Sequence, residues 1–205
     1  MLGVLWGVGI AIALSLLNFI RRSWYPHDAV LGRVDNLKGY HDTRRYPDAS
    51  LIPGLVLYRF DAPLFFANTD SFSDRVRALA ETDGTRWVVI VAEPITDIDA
   101  TAGETLAALH RELHAAGRTL AFAELKDPVR DLLRRYGIEA SIGPEHFYPT
   151  VGVAVATYLA ETGTVWTDWE DCADGHGQAP VHPDHHDPLP TRGEPDERAA
   201  RRRAA

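Results

Sequence analysis

Cysteine is almost missing from this chain: Cys172 is the only one in 205 residues, so no internal disulfide can form and nothing points to an oxidising compartment. Basic side chains are in deficit, 21 against 29 acidic ones, and a net charge of −8 lacks the concentrated positive surface that a nucleic-acid binder needs. Arg201-Arg202-Arg203 is too short and too terminal to reverse that balance. No phosphate-cradling glycine loop of the Gly-x-x-x-x-Gly-Lys type and no dinucleotide fingerprint comes after an expected strand. Cys172 has no positioned base, and Ser and His pairings have no motif support, so the chain is not read as an enzyme and no cofactor is expected.

The residues that are present begin with Met1 to Ile20, a stretch without a charged side chain in which only Ser15 and Asn18 are clearly polar. About 20 helical residues cross a hydrocarbon core of roughly 30 Å, so residues 1–22 are expected to form a transmembrane helix. Arg21-Arg22, with Trp24 and Tyr25 beside them, form the charge and aromatic pattern of a cytoplasmic membrane interface, which places the rest of the chain in the cytoplasm behind a single crossing. A cleaved signal peptide would carry its positive charge before the apolar run, not after it.

Residues 29–163 read as one α/β domain. Ala29–Val34 and Leu55–Phe60 are expected strands, with a polar loop or irregular hairpin over residues 35–53 between them. Asn68 to Thr82 places Phe72, Val76 and Leu79 on one helical face. The run Trp87-Val88-Val89-Ile90-Val91-Ala92 is too short for a helix and rich in β-branched residues, the signature of a strand buried on both faces. Thr101-Ala102-Gly103-Glu104 fits a Ser/Thr-x-x-Glu capping box, and the helix it starts buries Leu106, Leu109 and Leu113 before Gly117 ends it. Thr119–Ala123 then completes a strand-helix-strand crossover. Asp127 is the expected N-cap of a helix with Pro128 in its first turn, stopped by Gly137, and a last helix is expected over Thr150–Glu161. Residues 164–205 hold five prolines and many carboxylates but few aliphatic side chains, and are expected to be a disordered tail in which Trp166 and Trp169 pack on the domain edge.

Phe60-Asp61-Ala62-Pro63-Leu64-Phe65-Phe66-Ala67-Asn68, read with Thr96-Asp97-Ile98-Asp99-Ala100-Thr101, resembles the cytoplasmic STAS domain of SulP-type anion transporters, the sulfate permease family. The resemblance covers about Leu2 to Leu159, the apolar segment standing for the last transmembrane helix of such a permease. It implies a STAS fold like that of the anti-sigma-factor antagonists, a mixed β-sheet of about four to five strands flanked by helices, and a regulatory or assembly role toward an attached anion transporter. The implied partner is a transporter transmembrane domain or another membrane protein, with a nucleotide or an anion as candidate ligand and a homodimer as candidate assembly.

In the antagonists an Asp-Ser-Ser-Gly turn carries the phosphorylated serine; the matching residues here are Asp99, Ala100, Thr101 and Ala102, with Gly103 displaced by one. The resemblance therefore implies Thr101, Asp99, Ala102 and Gly103 as the candidate phosphorylation or anion-binding site, where free N–H groups at a helix start would meet a phosphate while Asp97 and Asp99 oppose it. The alternatives are a membrane-tethered phospho-switch with Thr101 as acceptor and a non-functional permease gene fragment. The transport site of the family lies between membrane helices, and a single span has no inverted repeat to build one. No metal site is expected: His110 and His114 are four apart but lie off the leucine stripe on a solvated face, and His176, His182, His185 and His186 lie in the tail.

Overall fold

The computed structural model describes residues 2–167. It opens with helix α1 (Leu2–Trp24), whose side chains from Trp6 to Phe19 all stand exposed, Trp6 at 71% and Leu17 at 63%. The helix forms where expected, but the membrane crossing does not follow from it: among the described residues no helix is long and apolar enough to cross a membrane.

The domain continues in the order β1 (Asp28–Val34), β2 (Leu37–Asp42), β3 (Leu55–Phe60), α2 (Thr69–Ala80), β4 (Trp87–Val91), α3 (Ala100–Ala115), β5 (Thr119–Ala123), α4 (Asp127–Arg135), α5 (Ile138–Ile142), β6 (Phe147–Tyr148) and α6 (Val151–Thr162). The strands form one mixed sheet in the order β2-β1-β3-β4-β5-β6, antiparallel between β2, β1 and β3 and parallel from β3 onward. Six strands replace the expected four to five. The first addition, β2, lies inside the stretch read as a loop: it is an edge strand with no buried side chain, so it carries little alternation for a sequence reading to find. The second, β6, is two residues long.

The central strand β4 is buried along its whole length, as its composition required. Val88 and Ile90 point into one core with Phe72, Leu106, Leu109, Leu120, Phe122 and Leu133, beneath α2 to α5. Val89 and Val91 point into the other with Leu31, Leu57, Val155 and Tyr158, beneath α6. Burying a side chain of this size contributes about 1.5–3 kcal/mol, so both faces stabilise the sheet. Gly117 and Gly137 adopt left-handed backbone at the ends of α3 and α4, at φ +71° and +72°, as C-terminal glycines do.

Two helix starts differ from expectation. Helix α4 is capped by Lys126 and not by Asp127, without a side-chain bond; Asp127 already lies in its first turn. Helix α6 starts as expected, with Thr150 Oγ1 accepting from Val153 N, but its largest fully buried side chain is Tyr158, which donates to Pro53 O at 2.6 Å.

The short helix α5 is held on α4 by charge. Glu139, its side chain 7% exposed, accepts from Arg130 Nε at 2.8 Å and lies 2.9 Å from Arg134 Nε. Burial alone would raise the Glu139 carboxyl, but the bonds and charges of Arg130 and Arg134 outweigh it and hold the group below the ordinary carboxylate range. With the folded value below the unfolded one, this stabilisation is full near neutrality and is lost as pH falls below about 4. Glu139→Gln should therefore cost about 1–2 kcal/mol in urea unfolding at pH 7, with a difference that closes toward pH 3. A constant difference across that range would remove the charge from the account.

Candidate functional site

The two stretches that carry the family resemblance meet in space at the start of α3. Leu64 and Ile98, each 1% exposed, form an isolated parallel bridge, in which Leu64 N donates to Asp97 O at 3.0 Å and Asp99 N donates to Leu64 O at 3.2 Å. Asn68, fully buried, braces the loop from within: its Oδ1 accepts from Phe65 N at 3.0 Å and its Nδ2 donates to Pro63 O at 2.9 Å. The same amide group lies 3.5 Å from Ser23 O at the end of α1. Asp61 N donates to His27 O, which ties the front of this loop to the approach of β1.

Asp99 is the joint between the halves. It is the N-cap of α3: Oδ1 accepts from Ala102 N at 2.8 Å, and Oδ2 accepts from Phe66 N at 2.9 Å. The capping box expected at Thr101 is thus displaced by two residues. An aspartate caps at least as well as a threonine, and only Asp99 also meets a donor from the Phe66 loop.

Thr101 lies exposed in the first turn of α3, its carbonyl accepting from Thr105 Oγ1 at 3.0 Å. The N-terminus of α3 is already occupied by a fixed carboxylate. A phosphate on Thr101, or an anion bound at this turn, would lie beside the Asp99 carboxylate, which already takes the Ala102 N–H.

Ala102 and Gly103 face inward and serve packing. A Cβ added at Gly103 would lie 2.8 Å from Ile138 Cδ1 and 3.1 Å from Tyr136 Cδ2, so the missing side chain is what lets α3 approach the α4–α5 corner. Of the four candidate residues, Asp99 ties the corner together, Ala102 and Gly103 are buried, and Thr101 alone presents its side chain to solvent. Beside it Phe66, 68% exposed, stands against Phe65 with ring centroids 5.7 Å apart. No local sequence signal marks that exposed ring, because it sits within a continuous apolar run beside the buried Leu64.

His110 and His114 do not form the simple solvated pair expected of them. Their rings stack at 5.9 Å, and His110 Nδ1 is buried without a hydrogen-bond partner. Burial, with His114, His146 and Arg111 nearby, holds the His110 imidazole below its usual range. Among the described residues no group of three or more His, Cys, Asp or Glu could hold a metal ion. His176, His182, His185, His186 and Cys172 lie outside the described residues.

A family model described as STAS domain matches residues 46–154. The chain is 41% identical over 159 residues to a protein named as a probable sulfate transporter in Mycobacterium tuberculosis, a match covering 77% of this chain and 28% of that protein. It is 32% identical over 168 residues to the chloroplastic Sulfate transporter 4.1 of Arabidopsis thaliana, covering 77% of this chain and 24% of the relative. The chain thus spans about a quarter of the length of these relatives. In structure it is similar to the murine Solute Carrier 26 family member A9 anion transporter in the inward-facing state, with a TM-score of 0.66 at 21% identity over 76% of this chain and 26% of that one.

Proposed function

Since this chain belongs to the STAS-domain family, with sulfate transporters among its relatives, we propose that it is the cytoplasmic regulatory and interaction module of a SulP-type transporter for sulfate or a related inorganic anion. It acts by contact with a membrane-embedded transport domain and not by moving the anion itself. The observation that carries this reading is the junction at Asn68 and Asp61, where the end of α1 and the approach to β1 are bonded to the same loop that Asp99 fixes to α3. A change at the membrane end is thereby delivered to the exposed corner bearing Phe66 and Thr101.

Helix α1 is taken as the membrane element, with Arg21 and Arg22 on the cytoplasmic side. Trp6 to Ile20, whose side chains are described, account for only about 22 Å of helix axis, short of a crossing. In the sequence Leu2-Gly3-Val4-Leu5 continue the apolar stretch, and helix α1 begins at Leu2, so the full stretch reaches about 28 Å before the first arginine. So many exposed apolar side chains on one helix need a non-aqueous surrounding.

The test is complementation in trans. In cells deficient in sulfate uptake, the Mycobacterium tuberculosis relative stripped of its matching region should regain radiolabelled sulfate uptake several-fold when this chain is co-expressed, and this chain alone should give none. Uptake by the chain alone, or no gain and no co-purification in the pair, would overturn the proposal. Phosphate found on Thr101, together with loss of the gain in Thr101→Glu, would move the reading to the phospho-switch.

A further inference from the structure

Three histidines that the proposed function does not use meet at one cavity. His110 and His114 lie one turn apart near the end of α3, and His146 closes the 3₁₀ turn Pro144–His146 that follows α5. Together with Arg111, Ser141 and Glu145 they line a space of about 460 Å³ between α3 and the α5 segment. His110 is the inner one of the α3 pair: its Nδ1 is buried with no hydrogen-bond partner among the described residues, and its ring stacks on that of the exposed His114. In the neutral ring Nδ1 is therefore the bare nitrogen, since an N–H there would have no acceptor. His146 differs, because its Nδ1 lies 2.8 Å from Ile142 O and donates to it.

The groups around His110 offer it no counter-ion. On α3 itself Arg111 and His114 add positive charge, and Glu112 is bonded to Arg77 of α2, which also holds Asp74. From α5 comes Glu139, already taken by Arg130 and Arg134 of α4. The 3₁₀ turn brings His146 and Glu145, a largely exposed carboxylate 3.8 Å from His146 Nδ1, and β5 carries no charged side chain. A proton on His110 would place a buried charge there without a partner, together with an N–H that has nothing to donate to. Burial, and then the charges of His114, His146 and Arg111, oppose that proton more strongly than the Ser141 carbonyl favours it.

The segment that covers these rings is built to move as a unit. Helix α5 has five residues between Gly137 and Gly143, at φ +72° and +96°; Glu139 fastens one side of it to α4, and the other side lies on α3, with Ile138 over Gly103.

We propose that the seam between α3 and residues 140–146 is an acid-operated latch: taking up protons at His110, with His114 and His146 beside it, swings this segment off α3 while Glu139 keeps α5 on α4. Because Ile138 stands over Gly103, two residues from Thr101, opening the latch loosens the helix turn that carries the exposed corner. The inference rests on this seam and does not depend on the transporter reading. The open form takes up the His110 proton at the ordinary imidazole value of about 6.5 and the closed form only at lower pH, so the closed form is favoured above that value and loses ground as pH falls. For one such proton the balance changes about tenfold between pH 7.5 and pH 5.5. Glu139, held below the ordinary carboxylate range, stays ionised across that window and serves as the pivot.

Hydrogen exchange of the full chain in detergent micelles tests the latch. Protection of residues 138–147, corrected for the intrinsic effect of pH, should fall about tenfold from pH 7.5 to pH 5.5, while β4 keeps its own. His110→Phe, which keeps a ring but cannot titrate, should hold its protection at pH 5.5. The exposed Ser141 on the cavity rim allows a second pair of variants that leave the core untouched. Ser141→Asp supplies the missing counter-ion and should move the opening down by about half a pH unit, and Ser141→Lys should move it up by as much. Protection unchanged between the two pH values would overturn the latch, as would a loss shared equally by β4, which would mean unfolding of the whole domain. A His110→Phe chain that opens like the parent, or an opening indifferent to both Ser141 variants, would overturn it too.

Discussion

Aspartate at both Ile10 and Leu14 is expected to shift the chain almost completely from carbonate-washed membranes to the soluble fraction. The two side chains, 57% and 61% exposed, are one turn apart on α1 near the middle of its uncharged stretch. A carboxylate at the centre of a membrane helix costs about 2.5–3.5 kcal/mol, so two cost roughly 5–7 kcal/mol, a change in partition on the order of 10⁴. Because the side chains of this part of α1 are exposed, the α/β domain should keep its unfolding temperature in the variant. That separates loss of the membrane from loss of the fold. A wild-type chain already in the soluble fraction, or a double-aspartate chain that stays in the pellet, would remove the membrane role assigned to α1.

The second large effect is expected inside the domain, at Gly54→Ala. Gly54 has φ +79°, where an L side chain costs roughly 1–2 kcal/mol. A Cβ there would overlap the Tyr158 hydroxyl and lie 3.1 Å from both Gly84 O and Arg86 Nε. The hydroxyl cannot give way freely, because it is committed to Pro53 O and its ring is fully buried against Trp87 at 5.6 Å. Gly54 O also accepts from Arg86 N and Trp87 N, so any retreat of residue 54 drags on the start of β4. Overpacking adds about 1–3 kcal/mol to the backbone strain, for a total of roughly 2–5 kcal/mol and a fall in unfolding temperature on the order of 10 °C. A scanning calorimetry trace within 2 °C of the parent would show that α6 floats more freely than these contacts allow.

The parts of this fold that were legible in the sequence are those whose partners are adjacent or whose pattern repeats. The apolar runs of β3, β4 and β5, the leucine stripe of α3 and the glycines that stop α3 and α4 each state their conformation locally, and all appear where expected. The family motif was legible as two strings, and they lie side by side. What the strings do was less legible. Thr101 satisfies the local pattern of a cap, but the cap falls on Asp99 because that residue also has Phe66 N to bind, a donor 33 positions away. The packing role of Gly103 was illegible for the same reason: the neighbours that a side chain there would meet, Ile138 and Tyr136, come from a corner that no local window contains. The short elements α5 and β6 were missed because five and two residues are too few to show a period.

The rims of the sheet carry one more consequence. On one side the outermost strand is β2, where the pairing with β1 slips between Arg33 and Val34 and Gly39 takes a left-handed turn at φ +90°. On the other it is β6, with only two residues to offer. An irregular border and a stub are both poor templates for a neighbouring strand, so sideways growth of the sheet into a dimer or onto a foreign polypeptide is disfavoured. Whatever this domain recognises, it must do so broadside, through helices and loop tips, and such contacts can be made and released without unzipping a backbone ladder.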